Sequence, residues 1–426
     1  FIVAAAFVAS SDLGKLSVAA IGLAVVGDIA LCFAFAGTIV RAASAVARAF
    51  GSPGALAAAT IERAPRRVWA TLMTVVIAVS ITVQSTGANT NAIDSTNASF
   101  ASLTEAALYV SPSPAGVLPT APMLPPDTQS SIASILGVAE VVPSQMAFAT
   151  LGDNRVVIQG LTPGAFGPPA GDMNPQVLQQ MLAGDGVVVS REIARNLGIG
   201  PGDELTLPTP TGERQVRVLE VVPYFSLFGG LVAMSLTQMR AWFDRPGSTI
   251  LAVKLAPGAD RAAAEAVIRD RLPSDVLVFS GEESVAAIGK GMASITGLID
   301  AMAWIVVFVA SIALLNTLML SVLERRRELG VMRAMGASRR FVLRTVVAEA
   351  AGIGVVGALI GAAFGAVNQH LATSALTNVL SIDVVYDASV LAIVFACTAF
   401  ALTLLGAIPP AVRAARLDIV DAVGVD

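Results

Sequence analysis

Five long apolar runs dominate this sequence, at about 16–40, 68–90, 295–323, 343–367 and 388–410. A helix needs about 20 mostly apolar residues to cross a bilayer, and each run meets that length. The opening FIVAAAFV is half as long and begins with Phe rather than Met. Residues 1–9 therefore read as part of a further span whose beginning is cut. They lack a basic n-region and a cleavage site, which excludes a signal peptide.

Charge is scarce, at 14% of the 426 residues, against about a quarter in soluble domains. The shortage is uneven. Residues 94–290 carry 19 of the 31 acids and 12 of the 27 bases, an ordinary soluble mixture with an acidic excess. The composition implies a membrane part interrupted by one soluble part. It argues against a single soluble enzyme and, with no basic block on the soluble part, against any nucleic-acid partner.

The rare residues narrow the function further. His370 is the sole histidine, and Cys32 and Cys397 both fall inside apolar runs, where a thiol behaves as a small hydrophobe. His/Cys metal sites and His-based triads lack the residues to build them. The stretch ending at Gly289-Lys290 imitates a phosphate loop, but Ser284 stands at its first glycine and Gly291 follows the lysine. No catalytic residue, bound cofactor or metal is expected in this chain.

Arginine placement sets the orientation. Segments 41–67, 324–344 and 411–426 carry fourteen arginines, whereas the short connections opposite carry Lys15, Asp12, His370, Asp383 and Asp387. The positive-inside asymmetry puts the first three in the cytoplasm and 91–290 outside. Five spans satisfy that parity. The expected organisation is a partial helix at 1–9 and a span at 16–40, a linker and elbow helix over 41–67, a span at 68–90, and an extracytoplasmic domain over 91–290. A second membrane domain over 291–410 and a cytoplasmic tail at 411–426 complete it. The elbow, 54–64 beside Arg63, Pro65, Arg66 and Arg67, reads as a helix lying on the inner leaflet.

The outer segment opens with the Pro-rich stretch 111–127. A short helix near 128–136 and strands at 145–150, 155–160, 187–190, 203–207 and 214–222 follow, punctuated by turn residues. Strand 250–255, helix 259–271 and strand 276–279 read as a βαβ-like unit. The fold class is thus an α-helical membrane protein with an extracytoplasmic α+β domain inserted between transmembrane helices. Ser280 to Glu283 forms a capping box that starts a helix running on into the span at 295–323.

Residues 324–344, ERRRELGVMRAMGASRRFVLR, carry the mechanism. Leu329, Met332 and Met335 recur at helical spacing, Gly336 is a helix stop, and Ser338 is an N-cap for the next helix. A short amphipathic helix is expected, bent between two spans at the cytoplasmic surface. The arginines fit an anchor on anionic lipid. The interleaved acids and the tight stop and restart equally fit a docking site for a cytoplasmic partner.

The string LLNTLMLSVLERRRELGVMRAMGAS at 314–338 resembles the FtsX-like, or MacB-like, permeases of ABC transporters. Glu349 and the glycines Gly352, Gly357, Gly361 and Gly365 extend the likeness. VVVSREIARNLGIGPGDELTLPTPTGERQVRVLEVV at 187–222 resembles that family's extracytoplasmic domain, of the MacB-like periplasmic core type. GALAAATIERAPRRVWATLMTVVIAV at 54–79 resembles the entry to the second half of its long, duplicated members. The resemblance implies ATPase coupling through Glu324, Arg325, Arg326, Arg327, Glu328, Gly330, Arg333, Ala334, Gly336, Ala337 and Ser338. It implies a separate ABC-type ATPase dimer that holds ATP and Mg. Such a dimer needs two docking elements, so a missing upstream half or a second permease copy is expected to supply the other.

Among intramembrane acids, Asp28 reads as an interhelical contact, Asp300 as a group near enough to the outer end to reach water, and Glu349 as a helix–helix hydrogen-bonding group. The four glycines give small-residue packing faces. Trp69 reads as an interface anchor. The function expected is export or extraction of a substrate by mechanotransmission from the bacterial cytoplasmic membrane. The alternative is a signalling permease that activates a cell-wall hydrolase or sensor, and an extracytoplasmic substrate-binding protein or hydrolase is a candidate partner.

Overall fold

The computed structural model describes residues 1–416 apart from Asp12, Ser226, Leu227, Ser389 and Val390. The expected tail at 411–426 lies outside the described residues beyond Arg416. The chain divides into a helical unit, residues 1–91, 296–375 and 386–426, and a sheet unit, residues 92–295 and 376–385.

Among the described residues, four helices are long and apolar enough to cross a membrane: Leu16–Ala34, Pro65–Glu105, Gly281–Glu324 and Arg339–Leu380. A further helix spans Leu391–Arg416 and contains Pro409 and Pro410. The expected single span over 16–40 is corrected. Helix Ala19–Ala34 stops at Phe35 (φ −102°, ψ 15°), and a separate helix runs Ala36–Arg48. The reason lies in the pattern. From Gly37 onward only Ile39, Val40, Ala43 and Ala47 are buried apolar residues, a helical stripe, while Arg41 and Arg48 occupy the open side. The linker and elbow of 41–67 are likewise two helices, Ala36–Arg48 packed on Gly51–Arg63. Arg48 pairs with Glu62 across that hairpin.

Helix Arg339–Leu380 packs on Pro65–Ser99 through a ladder of glycines. A Cβ on Gly361 would lie 2.7 Å from the Val76 carbonyl oxygen and 2.8 Å from the Val79 Cβ, and Gly357 and Gly365 are as tightly placed against Val75 and Val83. Lipid gives no hydrophobic drive to helix pairing, so such close backbone approach supplies the packing.

In the sheet unit the strands are β1 Leu108–Ser111, β2 Val138–Leu151, β3 Asn154–Leu161, β4 Val187–Ser190 and β5 Glu204–Thr209. They continue as β6 Gly212–Val222, β7 Leu231–Ser235, β8 Ile250–Leu255 and β9 Leu277–Phe279. Their order across one mixed sheet is β5-β6-β4-β7-β3-β2-β8-β1-β9. β3 and β7, and β4 and β6, pair in parallel, and the other pairs are antiparallel. Val187, Val188 and Val189 are all fully buried, as a central strand covered on both faces requires. The expected βαβ-like unit is split: β8 and β9 run in the same direction but β1 lies between them.

Helices Pro175–Ala183, Arg261–Arg271 and Gly281–Glu324 start on side-chain caps. The Asp260 carboxylate accepts from the Ala262 and Ala263 N–H groups, and Ser280 and Glu283 exchange the two bonds of a capping box. β1, β7 and the helices Pro175–Ala183 and Leu236–Phe243 were not expected from sequence.

Candidate coupling site

The long helix Gly281–Glu324 ends where Arg325 leaves helical geometry (φ −101°, ψ 12°), and a short helix follows over Arg326–Ala334. Gly336, at φ +102°, closes it in the left-handed conformation that favours glycine. The Gly336 N–H donates to the Arg333 carbonyl and the Ala337 N–H to the Met332 carbonyl, both at 3.0 Å. The Ser338 hydroxyl then accepts from the Phe341 N–H at 3.1 Å and starts helix Arg339–Leu380. Stop and restart thus occupy four residues.

Leu329 and Gly330 are buried, Leu329 in a cluster with Val322, Val342, Val346 and Ala411. The expected apolar stripe of Leu329, Met332 and Met335 holds only through Met332. Met335 is 76% exposed. The helix ends one residue earlier, so Met335 no longer follows its buried face. Glu324, Arg327, Glu328, Val331, Ala334, Gly336 and Ser338 are also exposed, whereas Arg325, Arg326, Arg333 and Ala337 are partly covered.

Glu324, Arg325 and Glu328, all expected coupling residues, also form ion pairs inside the unit. Glu324 accepts from Arg67 at 2.7 Å, and Arg67 donates at 2.9 Å to the Ser321 hydroxyl. Arg325 lies 3.4 Å from Glu328 and 3.7 Å from the buried Glu349 carboxylate, which Ser321 also hydrogen-bonds. Glu349 therefore meets a cation as well as a hydroxyl. Arg67, assigned from sequence to the lipid-facing elbow, ties the start of one long helix to the end of another. No local signal marks that pairing.

Asp28 lies apart from this network, accepting at 2.6 Å from the Asn368 amide, which also reaches Ser80 at 3.4 Å. Those three residues join helices Ala19–Ala34, Pro65–Ser99 and Arg339–Leu380. Asp300 lies in helix Gly281–Glu324, with its side chain outside the described residues. Trp69 donates its indole N–H to the Cys32 carbonyl at 3.3 Å.

Residues 301–419 match the family described as FtsX-like permease C-terminal, and residues 68–271 match the MacB-like periplasmic core domain. The chain belongs to the MacB- and FtsX-like permeases of ABC transporters. The FtsX-like match contains the whole short helix, and the MacB-like match takes in β1 to β8. Among similar proteins is the macrolide export ATP-binding/permease protein MacB of Brucella abortus, 36% identical over 138 residues, 32% of this chain and 20% of that protein. The Agrobacterium fabrum protein of the same description is 29% identical over 56% of this chain and 38% of its own length. The uncharacterized ABC transporter permease YknZ of Bacillus subtilis is 27% identical over 43% of this chain and 49% of its own. The matched segments thus span a fifth to a half of these relatives. The periplasmic region of MacB from Actinobacillus actinomycetemcomitans is similar over 42% of this chain and 90% of its own, with 12% identity and a TM-score of 0.30.

Proposed function

We propose that this MacB/FtsX-like permease is the membrane component of an ATP-driven machine, with helix Arg326–Ala334 as its docking element for a separate cytoplasmic ATPase dimer. ATP and Mg belong to that partner, and this chain supplies no catalytic group. The observation that carries the reading is the exposed edge of a helix whose other edge is locked into its own unit. Leu329 and Gly330 are buried while Arg327, Glu328, Val331, Ala334 and Met335 stay open. Charges of both signs beside apolar side chains suit a protein groove better than anionic lipid, which asks for cations alone.

The arginine-rich connections lie in the cytoplasm of a bacterial cell, the helical unit in its inner membrane, and the sheet unit outside. Helices Pro65–Ser99 and Gly281–Glu324 each continue without a break past the residues at which one unit gives way to the other. That continuity supports mechanotransmission: ATP-driven displacement of the docking helix reaches the sheet unit, which exports or extracts a substrate. An ATPase dimer offers two grooves, so a second docking helix, from another chain or another part of the same protein, completes the assembly.

The test is co-expression with an ABC-type ATPase, comparing wild type with Val331→Asp and Met335→Asp. Both positions are exposed, so the variants should remain folded yet lose the co-purified ATPase and the stimulation of its turnover. Retention of both, with the variants in the membrane, would show that the helix docks nothing.

A further inference from the structure

The sheet unit holds a cavity of about 610 Å³, within the range of about 300–1,000 Å³ common for small-molecule sites. Its floor is one face of the sheet. Val142, Ser144, Met146 and Phe148 alternate along β2 and therefore point the same way. Ala252 on β8, in register with both Val142 and Tyr109, and Gln159 on β3, in register with Met146, extend that face. The Pro-rich stretch 114–120 and the first turns of helix Gly281–Glu324, through Ala287, Ile288 and Met292, cover it.

Two features define what such a cavity accepts. No Asp, Glu, Lys, Arg or His lines it among the described residues, and aromatic rings supply much of the wall. Burial pushes the Tyr224 phenol up to about 12 and the Tyr109 phenol higher still, so both stay neutral. A charged ligand would lose its hydration there with no compensating partner. The second feature is Gln159. Its residue is 5% exposed, and its side-chain oxygen has no hydrogen-bond partner among the described residues. Three neighbouring hydroxyls are already committed: Ser144 donates to the Gly160 carbonyl, Ser111 to the Thr249 carbonyl, and Tyr109 to the Leu103 carbonyl. The Gln159 oxygen is enclosed by protein and cannot accept from a molecule in the cavity, so what Gln159 offers to whatever enters is its amide N–H donors.

We propose that this cavity binds an uncharged acyl lipid carrying an ester carbonyl, the chemistry of a monoacylglycerol. The chain lies against the aromatic and methionine side chains. The Gln159 amide N–H donates to the ester carbonyl. This site belongs to the sheet unit alone, so it stands whether or not the short helix docks an ATPase.

The test uses the full chain in phosphatidylcholine nanodiscs with a monoacylglycerol bearing a diazirine in its chain. Photolabelling should map to peptides containing 100–120 and 279–292. Unlabelled monoacylglycerol should compete, and the corresponding fatty acid, being anionic, should not. Gln159→Leu should weaken binding about tenfold, the loss of one net hydrogen bond. Ala252→Phe, which fills the floor, should abolish labelling of those peptides. A phosphatidylcholine bearing the same diazirine should label the long helices of the helical unit and spare them. Equal competition by the fatty acid, labelling of these peptides by the phospholipid probe, or labelling confined to the helical unit would each overturn the proposal. The competition needs only wild-type protein, so it decides even if a variant fails to fold.

Discussion

Arg325 holds a guanidinium nitrogen 3.7 Å from the carboxylate of Glu349, which is almost wholly buried. The pair joins the break before the short helix to the first third of helix Arg339–Leu380. Removing one member of a buried pair leaves an uncompensated charge, and removing both does not. Arg325→Met should therefore cost up to about 3 kcal/mol. The double variant with Glu349→Gln should recover part of that loss. Unfolding midpoints in detergent check this, and simple additivity of the two single variants would contradict it.

Gly336 turns the chain at φ +102°, with no atom within 4 Å of where a Cβ would stand. Substitution is thus a backbone matter rather than a steric one. Gly336→Ala should cost about 1–2 kcal/mol, confined to the end of the short helix. Amide hydrogen exchange should quicken at Met335–Ala337 while the glycine ladder of Arg339–Leu380 keeps its protection.

Gly361 tests that ladder. Gly361→Leu drives a side chain into the Val76 carbonyl and the Val79 methine, both within 3 Å of the new Cβ. Its folded yield should fall several-fold by size-exclusion chromatography. Gly22→Leu is the control, since nothing lies within 4 Å of that position.

Asn368 reaches Asp28 at 2.6 Å and Ser80 at 3.4 Å, so one amide serves three helices. Asn368→Leu should destabilise the helical unit by about 0.6–2 kcal/mol, the range for hydrogen bonds between membrane helices. Asp28→Asn keeps a hydrogen-bonding group and should cost less. Equal losses in thermal unfolding would mean that the amide contributes only its volume.

The long apolar runs were legible because length alone identifies them, and the turn at 335–338 because glycine and serine announce a stop and a start. The break at Phe35 was hidden, since the sequence stays apolar through Val40 and only burial reveals where one helix gives way to another. β7, LVAMS, lacks alternation because its residues are buried on both faces, and five residues give little to count. The first half of β2 was obscured by Pro143, which normally argues against a strand interior yet here pairs in register with Leu251. Arg67 and Glu324 are 257 residues apart, and no periodicity reports a contact at that separation.

β2 pairs with β8 over 138–144 and with β3 over 145–151, changing partners between Ser144 and Gln145. At that seam the Gln145 amide donates to the Arg245 and Gly247 carbonyls, fastening the strand from the side. One continuous strand therefore sets the register of both half-sheets. A slip of a single residue on either side would invert every side chain along it. The two halves are obliged to melt together, and the sheet unit should unfold in a single cooperative step rather than shed one flank at a time.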